Sequence, residues 1–435
     1  MSAFLKGTKP SRSKAYSAGI KVVAASAGIL LLASCASGPA DEEEDTATPE
    51  ETTSSEGRAA DGVLTVGTIL PQTGNLSFLG PPEFAGVDLA AADIAATDFP
   101  FDVEVIHRDS GDGNTDIATQ SAGELIDLAA DVVIGAASSG VSFTFVDQLV
   151  AAGVLQISPA NTSPDFSDYD DDGYYWRTAP SDVLQGRVLG NLMVGDGAEN
   201  IGIIYINDAY GIGLEENATL AIEEAGGTVS ASLPYNTGDT QFASIVDEVL
   251  ASGPDAIAVI AFDETSSIIP ELINTRDFPA TGVYFVDGNL SNSYEFEPGT
   301  LEGAKGTLPG NFASDEFQAR LLEVDPSLTD FSYSAESYDA VILTALAAAQ
   351  GESDDPNTIR DNLQSVSGGD GDGTKCETFA DCLALINDGE AIDYDGPSGP
   401  ITFDENGDPT EAYIGIYQYG ADNTYSALTA EFGSL

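Results

Sequence analysis

The chain has 435 residues, 42% of them hydrophobic, which is enough to build one large or two medium domains with a sizeable core. Asp and Glu number 72 against 14 Lys and Arg, giving a formal net charge of −58. A surface of that sign excludes nucleic acid and anionic lipid headgroups as partners. Adaptation to salty surroundings and plain lineage composition both account for the acidity.

Five of the basic residues, Lys6, Lys9, Arg12, Lys14 and Lys21, lead into the apolar run KVVAASAGILLLASC at 21–35. The run falls short of the about 20 apolar residues that a bilayer span needs. A basic flank and a small-residue exit mark a secretory signal, so residues 1–35 are expected to direct export. Leu32-Ala33-Ser34-Cys35 resembles a bacterial lipobox, in which the cysteine is lipidated and begins the mature chain. Cleavage near Ala33, with Cys35 incidental, is the alternative. Residues 36–60 carry no aromatic and almost no bulky apolar side chain, so burial cannot offset the entropy of ordering them. They read as a disordered acidic tether, spread by repulsion among Glu42, Glu43, Glu44 and Asp45, between a lipid on Cys35 and the folded body.

From residue 61 one rhythm repeats: short β-branched run, turn, amphipathic helix. Strands are predicted at 63–70, 102–107, 131–136 and 154–158, with helices at 84–96, 117–130 and 143–153 between and after them. A second series places strands at 201–206, 228–235, 256–262 and 282–288, and helices at 184–194, 213–226, 242–252 and 266–276. Apolar strands alternating with helices imply parallel sheets covered on both faces, hence an α/β fold of two doubly wound lobes. The rhythm then breaks. Helices are expected over 315–325, 332–350, 357–366 and 376–388, a turn-rich connection over 392–409, and a strand over 412–420. The late helices should return to the first lobe and the last strand to the second, making a hinge of several crossings.

Little of this supports catalysis or a cofactor. The single histidine, His107, ends a strand and has no GxSxG serine elbow to serve, so it reads as a surface residue. Gly211-Ile212-Gly213 follows a strand and opens a helix, but Glu215 and Glu216 occupy the end of that turn and would repel a pyrophosphate. Asp168, Asp170, Asp172 and Gly173 imitate the start of a calcium loop, yet Ala179 stands where its bidentate glutamate belongs. Solvated acidic turns account better for this and the other Asp-Gly runs. Beyond Cys35 the cysteines are Cys376 and Cys382, whose short spacing in an exported chain favours a disulfide. One histidine and one cysteine pair do not make a zinc site. No cofactor or metal is expected.

The informative residues stand where strands end, since open parallel sheets bind ligands beyond the carboxyl ends of their strands. There the first series places Ser138-Ser139-Gly140 and Ser158-Pro159-Ala160-Asn161-Thr162, small residues with hydroxyls and free backbone N–H groups suited to a carboxylate. The second places Tyr210 after Asp208, then Phe262-Asp263 and Asp287-Gly288, an aromatic wall with acids to meet an ammonium group. Each segment alone is ordinary helix capping. Together they describe two facing half-sites for a zwitterion.

GTILPQTG with its EFAG helix start, VVIGAASS, ISPANTSP, YWRTAPSD, NDAYGIG, GDTQFAS and YDGPSGPITFDENGDP, in that order, resemble the substrate-binding lipoproteins of branched-chain amino-acid ABC transporters. The resemblance spans roughly residues 62–420 and implies the type I periplasmic binding protein fold of the Leu/Ile/Val-binding family. It implies a first lobe from 61–180 completed by 312–392, and a second from 181–311 completed by 393–435. It also implies that Ser139 and Thr162 hold the ligand carboxylate, that the Ala160 carbonyl and Asp287 hold its ammonium group, and that Tyr210 lines the pocket. Phe78 or Leu79 matches the pocket aromatic of the first loop, Ser138 replaces a cysteine of some relatives, and Asp263 falls where relatives carry an aromatic. The implied activity is capture of a neutral amino acid for an ABC permease and its ATPase, without catalysis. The rivals are the same fold holding an amide, urea, polyamine or aromatic acid, and a sensing module serving a receptor.

Overall fold

The computed structural model describes residues 59–371 and 373–435. The expected signal, Cys35 and all but the last two residues of the tether lie outside the described residues. No helix among those described is long and apolar enough to cross a membrane.

The first sheet has five parallel strands: β1 (Val63–Leu70), β2 (Asp102–Asp109), β3 (Val132–Gly135), β4 (Leu155–Ser158) and β5 (Tyr175–Arg177), in the order β2-β1-β3-β4-β5. β1, β3 and β4 are buried almost throughout, as expected of strands covered by helices on both faces. The helices Gly80–Ala95 and Ser334–Gly351 pack on this sheet. Every residue of the latter from Ser334 to Ala349 is buried, the acids Glu336 and Asp339 included, so this helix runs through the core of the lobe.

The second sheet contains β6 (Asn200–Ile206), β7 (Thr228–Tyr235), β8 (Ala256–Ile260), β9 (Val283–Phe285), β10 (Lys305–Pro309), β14 (Glu411–Tyr419) and β15 (Tyr425–Ser434), in the order β15-β14-β10-β9-β8-β6-β7. Strands β6 to β10 are parallel, but β14 and β15 run antiparallel at one edge. The sheet is therefore mixed, and β5, β10 and β15 add to the predicted strands.

Between the sheets' last elements lie β11 (Thr374–Cys376), β12 (Ile392–Gly396) and β13 (Gly399–Pro400), a small three-stranded sheet. Cys376 on β11 is disulfide-bonded to Cys382. Ile392, Tyr394, Ile401 and Phe403 bury their side chains in the same core as β1, β3 and β4. The first lobe thus extends to about residue 403, beyond the expected change at 392/393, because these apolar side chains find their partners there. The turn-rich segment 392–409 contains β12 and β13 for the same reason. The chain passes between the lobes after β5, after β10 and before β14.

The lobes meet closely. A Cβ added to Gly213 of the second lobe would lie 2.5 Å from Cδ of Pro164 in the first. A Cβ on Gly211 would come 2.0 Å from the Ile206 carbonyl oxygen, so this glycine serves close packing of helix on strand. That explains the Gly-x-Gly pattern without a nucleotide.

Candidate functional site

The carboxyl ends of β3, β4, β6, β8 and β9 converge between the lobes. A small cavity there, about 10 Å³, is walled by Leu76, Leu79, Ser138, Ser139, Ala160, Tyr210, Phe262, Asp287 and Tyr333, among others. Seven residues proposed from sequence thus share one wall: Leu79, Ser138, Ser139, Ala160, Tyr210, Phe262 and Asp287.

On the first-lobe side, two loops are stitched together. Ser158 Oγ donates to the Ala136 carbonyl at 2.7 Å, and Asn161 Nδ2 donates to the carbonyls of Ala136 and Ala137, each at 2.9 Å. Ser139 Oγ accepts the Ser163 N–H at 3.2 Å, and Ser138 Oγ caps the short helix behind it. Underneath, the fully buried Arg177 forms a bidentate pair with Asp408, Nε to Oδ1 at 2.6 Å and Nη2 to Oδ2 at 2.8 Å. Its remaining nitrogen, Nη1, donates to the carbonyls of Ser163 and Asn161 at 2.7 and 3.3 Å. The serine and alanine therefore sit on a rigid support.

On the second-lobe side, Asp287 is the focus. Its Oδ1 accepts from Tyr210 Oη at 2.7 Å and Gln185 Nε2 at 2.9 Å, and its Oδ2 accepts from Tyr333 Oη at 2.7 Å. Burial raises the Asp287 pKa, and the three donors pull it back toward the charged form. Burial and the neighbouring Asp287 push both tyrosines well above their ordinary value, so they remain donors. Tyr210 stacks on Phe262 with ring centroids 5.4 Å apart and planes 12° from parallel.

Three expected residues are placed differently. Phe78 and Asp263 line a neighbouring, wider opening with Tyr294 and Phe296, not the closed cavity. The aromatic that follows β8 is Phe262, one residue before Asp263: in the turn beyond the strand Phe262 faces the cavity and Asp263 the wider opening. Burial and nearby Glu264 push the Asp263 pKa up to about 6. Thr162 is fully buried but is not part of the cavity wall, and its hydroxyl lies against the Asp182 carboxylate.

Sequence reasoning missed Leu76, Tyr333 and Gln185. Phe262, named from sequence as part of the aromatic wall, does line the cavity. Tyr333 carried no signal, since it enters from the start of a first-lobe helix. His107 is engaged by Thr68 at 3.0 Å and Asp88 at 3.1 Å, away from these residues.

The sequence pattern of the periplasmic binding protein family matches residues 63–423. A curated relative, the chemotactic signal transduction system substrate-binding protein BasB of Halobacterium salinarum, is 29% identical over 375 residues, covering 81% of this chain and 86% of its own. Leu/Ile/Val-binding protein homolog 3 of Brucella melitensis is 23% identical over 354 residues, 79% of this chain and 92% of its own. Among solved structures, the leucine-binding protein LivK of Thermotoga maritima superposes with a TM-score of 0.68 at 19% identity, covering 84% of this chain and 98% of its own. LivJ of Streptococcus pneumoniae, in complex with isoleucine, gives 0.66 at 18% identity, over 86% of this chain and 100% of its own. A solute-binding protein of Rhodopseudomonas palustris, in complex with benzoate, gives 0.65 at 17% identity, over 86% and 98%. The fold is that of the type I periplasmic binding proteins. The chain belongs to the periplasmic binding protein family of ABC-type transport systems, extracytoplasmic proteins that bind solutes and do not transform them.

Proposed function

We propose that this protein captures an α-amino acid with a compact aliphatic side chain between its lobes and delivers it to an ABC permease. The observation that carries this reading is the pairing, across one small cavity, of the Ser139 and Ala160 loops with the buried carboxylate of Asp287. Ser139 and nearby N–H groups would hold the ligand carboxylate, with Thr162 behind them. The Ala160 carbonyl and Asp287 would hold its ammonium group, with Leu76, Leu79, Tyr210, Phe262 and Tyr333 around the side chain. The cavity is drawn in to about 10 Å³, so the lobes would have to part to admit a guest. An aromatic acid, with no ammonium group, would leave Asp287 unpaired beside a second anion. The isoleucine in the LivJ complex has the expected chemistry.

Contacts from both lobes favour the closed form over the open one, and that difference alone drives closure. Lipidation of Cys35 would hold the receptor at the membrane, with the acidic segment after it giving reach.

A second reading changes the recipient and keeps the ligand. The match to BasB favours hand-over to a chemotaxis receptor. Co-purification with a permease or with a membrane receptor separates the two.

A thermal-shift screen over amino acids, amides, polyamines and aromatic acids tests the ligand class. Aliphatic amino acids should raise Tm, and Asp287→Ala should abolish the rise while the ligand-free protein still unfolds cooperatively. A shift with benzoate and none with any amino acid would overturn the reading.

A further inference from the structure

The crevice closes at its mouth on a set of acids with no base among them. An opening of about 460 Å³ lies there between the lobes, with Asp112 and Asn114 on the first-lobe side and Asp239, Asp263 and Glu264 on the second-lobe side. Asp263 also lines the wider opening beside the ligand cavity, and the residue before it, Phe262, walls the cavity itself. The acids therefore flank the way in. The lobes are close at this point, since a Cβ on Gly238 would lie 3.3 Å from Nδ2 of Asn114.

Local bonds fix several of these acids. Asp112 Oδ1 accepts the Asn114 N–H at 2.9 Å, and Asp239 Oδ2 accepts the Asn236 N–H at 2.9 Å. Glu264 accepts from the Gly238 N–H and the Tyr235 hydroxyl, each at 3.4 Å. None of these bonds crosses between the lobes. Charge does cross. Burial first, then Glu264 and, from the opposite lobe, Asp112 push the Asp263 pKa up to about 6. Asp263 is exposed and stays largely ionised at neutral pH, so two carboxylates on different lobes repel across the gap. Among the described residues no Lys, Arg or His lines either opening. The bases pair elsewhere: Arg108 with Glu124, Arg276 with Asp247, Lys305 with Asp196 and Arg320 with Asp93.

Parting the lobes separates Asp112 from the second-lobe acids, and closing them brings like charges together. Salt shortens the reach of that repulsion from about 10 Å at 0.1 M to about 3 Å at 1 M. We infer that the acidic mouth opposes closure in dilute solution and that salt releases it, so the protein holds its ligand more tightly at high ionic strength. Among the described residues no three acidic, histidine or cysteine side chains converge as metal ligands, so diffuse screening and not a bound ion relieves the charge. On the reading that an amino acid is held between the lobes, the salt acts on the balance of open and closed forms and not on folding.

Calorimetry on the full chain, with leucine as the probe in 0.1 M and 1 M potassium chloride at about pH 7.5, tests this, with cooperative melting checked in each salt. Wild-type affinity should be at least about threefold tighter in 1 M salt. Asp112→Asn with Asp263→Asn should bind leucine more tightly than wild type in 0.1 M salt and lose most of the difference between the salts. Glu223→Gln with Glu224→Gln removes the same charge from exposed positions at the far end of the helix Ala209–Glu224 and should keep the difference. Equal wild-type affinities in the two salts, a difference kept in full by the mouth variant, or one lost equally in the Glu223 and Glu224 variant would each overturn the proposal. Failure to bind leucine in either salt would instead count against the amino-acid reading. Small-angle scattering of the ligand-free protein in 0.1 M salt then decides: the mouth variant should be more compact than wild type, and equal radii of gyration would overturn the proposal.

Discussion

The hydroxyl of Tyr333, at the start of a first-lobe helix, donates to Oδ2 of Asp287 in the second lobe at 2.7 Å. The bond crosses the crevice beside the cavity and exists only when the lobes are together. It couples the acid that meets the ligand to the closed geometry. Tyr333→Phe removes this donor and leaves Oδ2 bare. A hydrogen bond to a charged group contributes about 1.5–3 kcal/mol, so amino-acid affinity should fall at least about tenfold. Calorimetry with the best ligand of the screen measures it. Unchanged affinity would mean that the bond has no part in closure.

Closure also depends on a contact with no polar character. Gly213 and Pro164 approach so closely that any Cβ collides. Gly213→Val is compatible with the second-lobe helix on which it lies, so the lobes should fold as before and fail to shut. Affinity should drop by about a hundredfold or more, with the Tm of the ligand-free protein shifted by only a few degrees. Small-angle scattering with saturating ligand should show a larger radius of gyration than wild type. A variant that still compacts on ligand addition would refute this account of the interface.

The first lobe buries acids that bind no ligand, and these set a pH dependence. Glu336 is pushed up to about 8, by burial first and then by Asp339, and Asp339 itself is pushed up to about 7 by burial. Glu83, fully buried against Glu336 and without a hydrogen-bond partner among the described residues, is raised well above its usual value. A carboxyl whose folded pKa exceeds its unfolded one binds more protons in the native state over the interval between them. Stability from such groups is complete below about pH 4 and is lost as pH rises toward 8. Glu336→Gln cannot ionise and escapes that loss. Its Tm should match wild type near pH 5 and exceed it by about 3 °C or more at pH 8. Parallel melting profiles for the two proteins across this range would show that Glu336 is not the group responsible.

Much of this architecture is visible in the chain because its central strands are continuous apolar runs. VLTVGTIL fills β1 from Val63 to Leu70, and AIAVI fills β8 from Ala256 to Ile260. The strands that escape notice are short or half-exposed. KGTLP of β10 offers one bulky apolar residue, YWR of β5 offers three positions, and β15 is an edge strand with Leu428 and Phe432 facing outward. The site divides the same way. Ser139, Ala160, Tyr210 and Asp287 follow strand ends, so topology announces them. Tyr333 reaches Asp287 from another lobe, and Asp182 and Gln185 look in sequence like an ordinary first helical turn. Only the folded chain shows that they are buried together.

The support beneath the ligand loops yields the last prediction. Arg177 is fully buried, its partner Asp408 arrives from the final crossing between lobes, and Ser167 Oγ donates to the same carboxylate at 2.5 Å. Removing one member of such a pair strands the other charge, which costs about 3–5 kcal/mol. Asp408→Asn should therefore lower the urea midpoint strongly. It should also weaken ligand binding, because Arg177 would no longer hold the carbonyls of Asn161 and Ser163 in place. Replacing both residues together, Arg177→Met with Asp408→Leu, should cost less stability than the two single changes added, since no charge is left stranded. Ligand affinity should stay low in the double variant, because the loop has lost its donor. If the double variant binds amino acid as tightly as wild type, the arginine is a stability element alone and the loop geometry is held by Ser158 and Asn161.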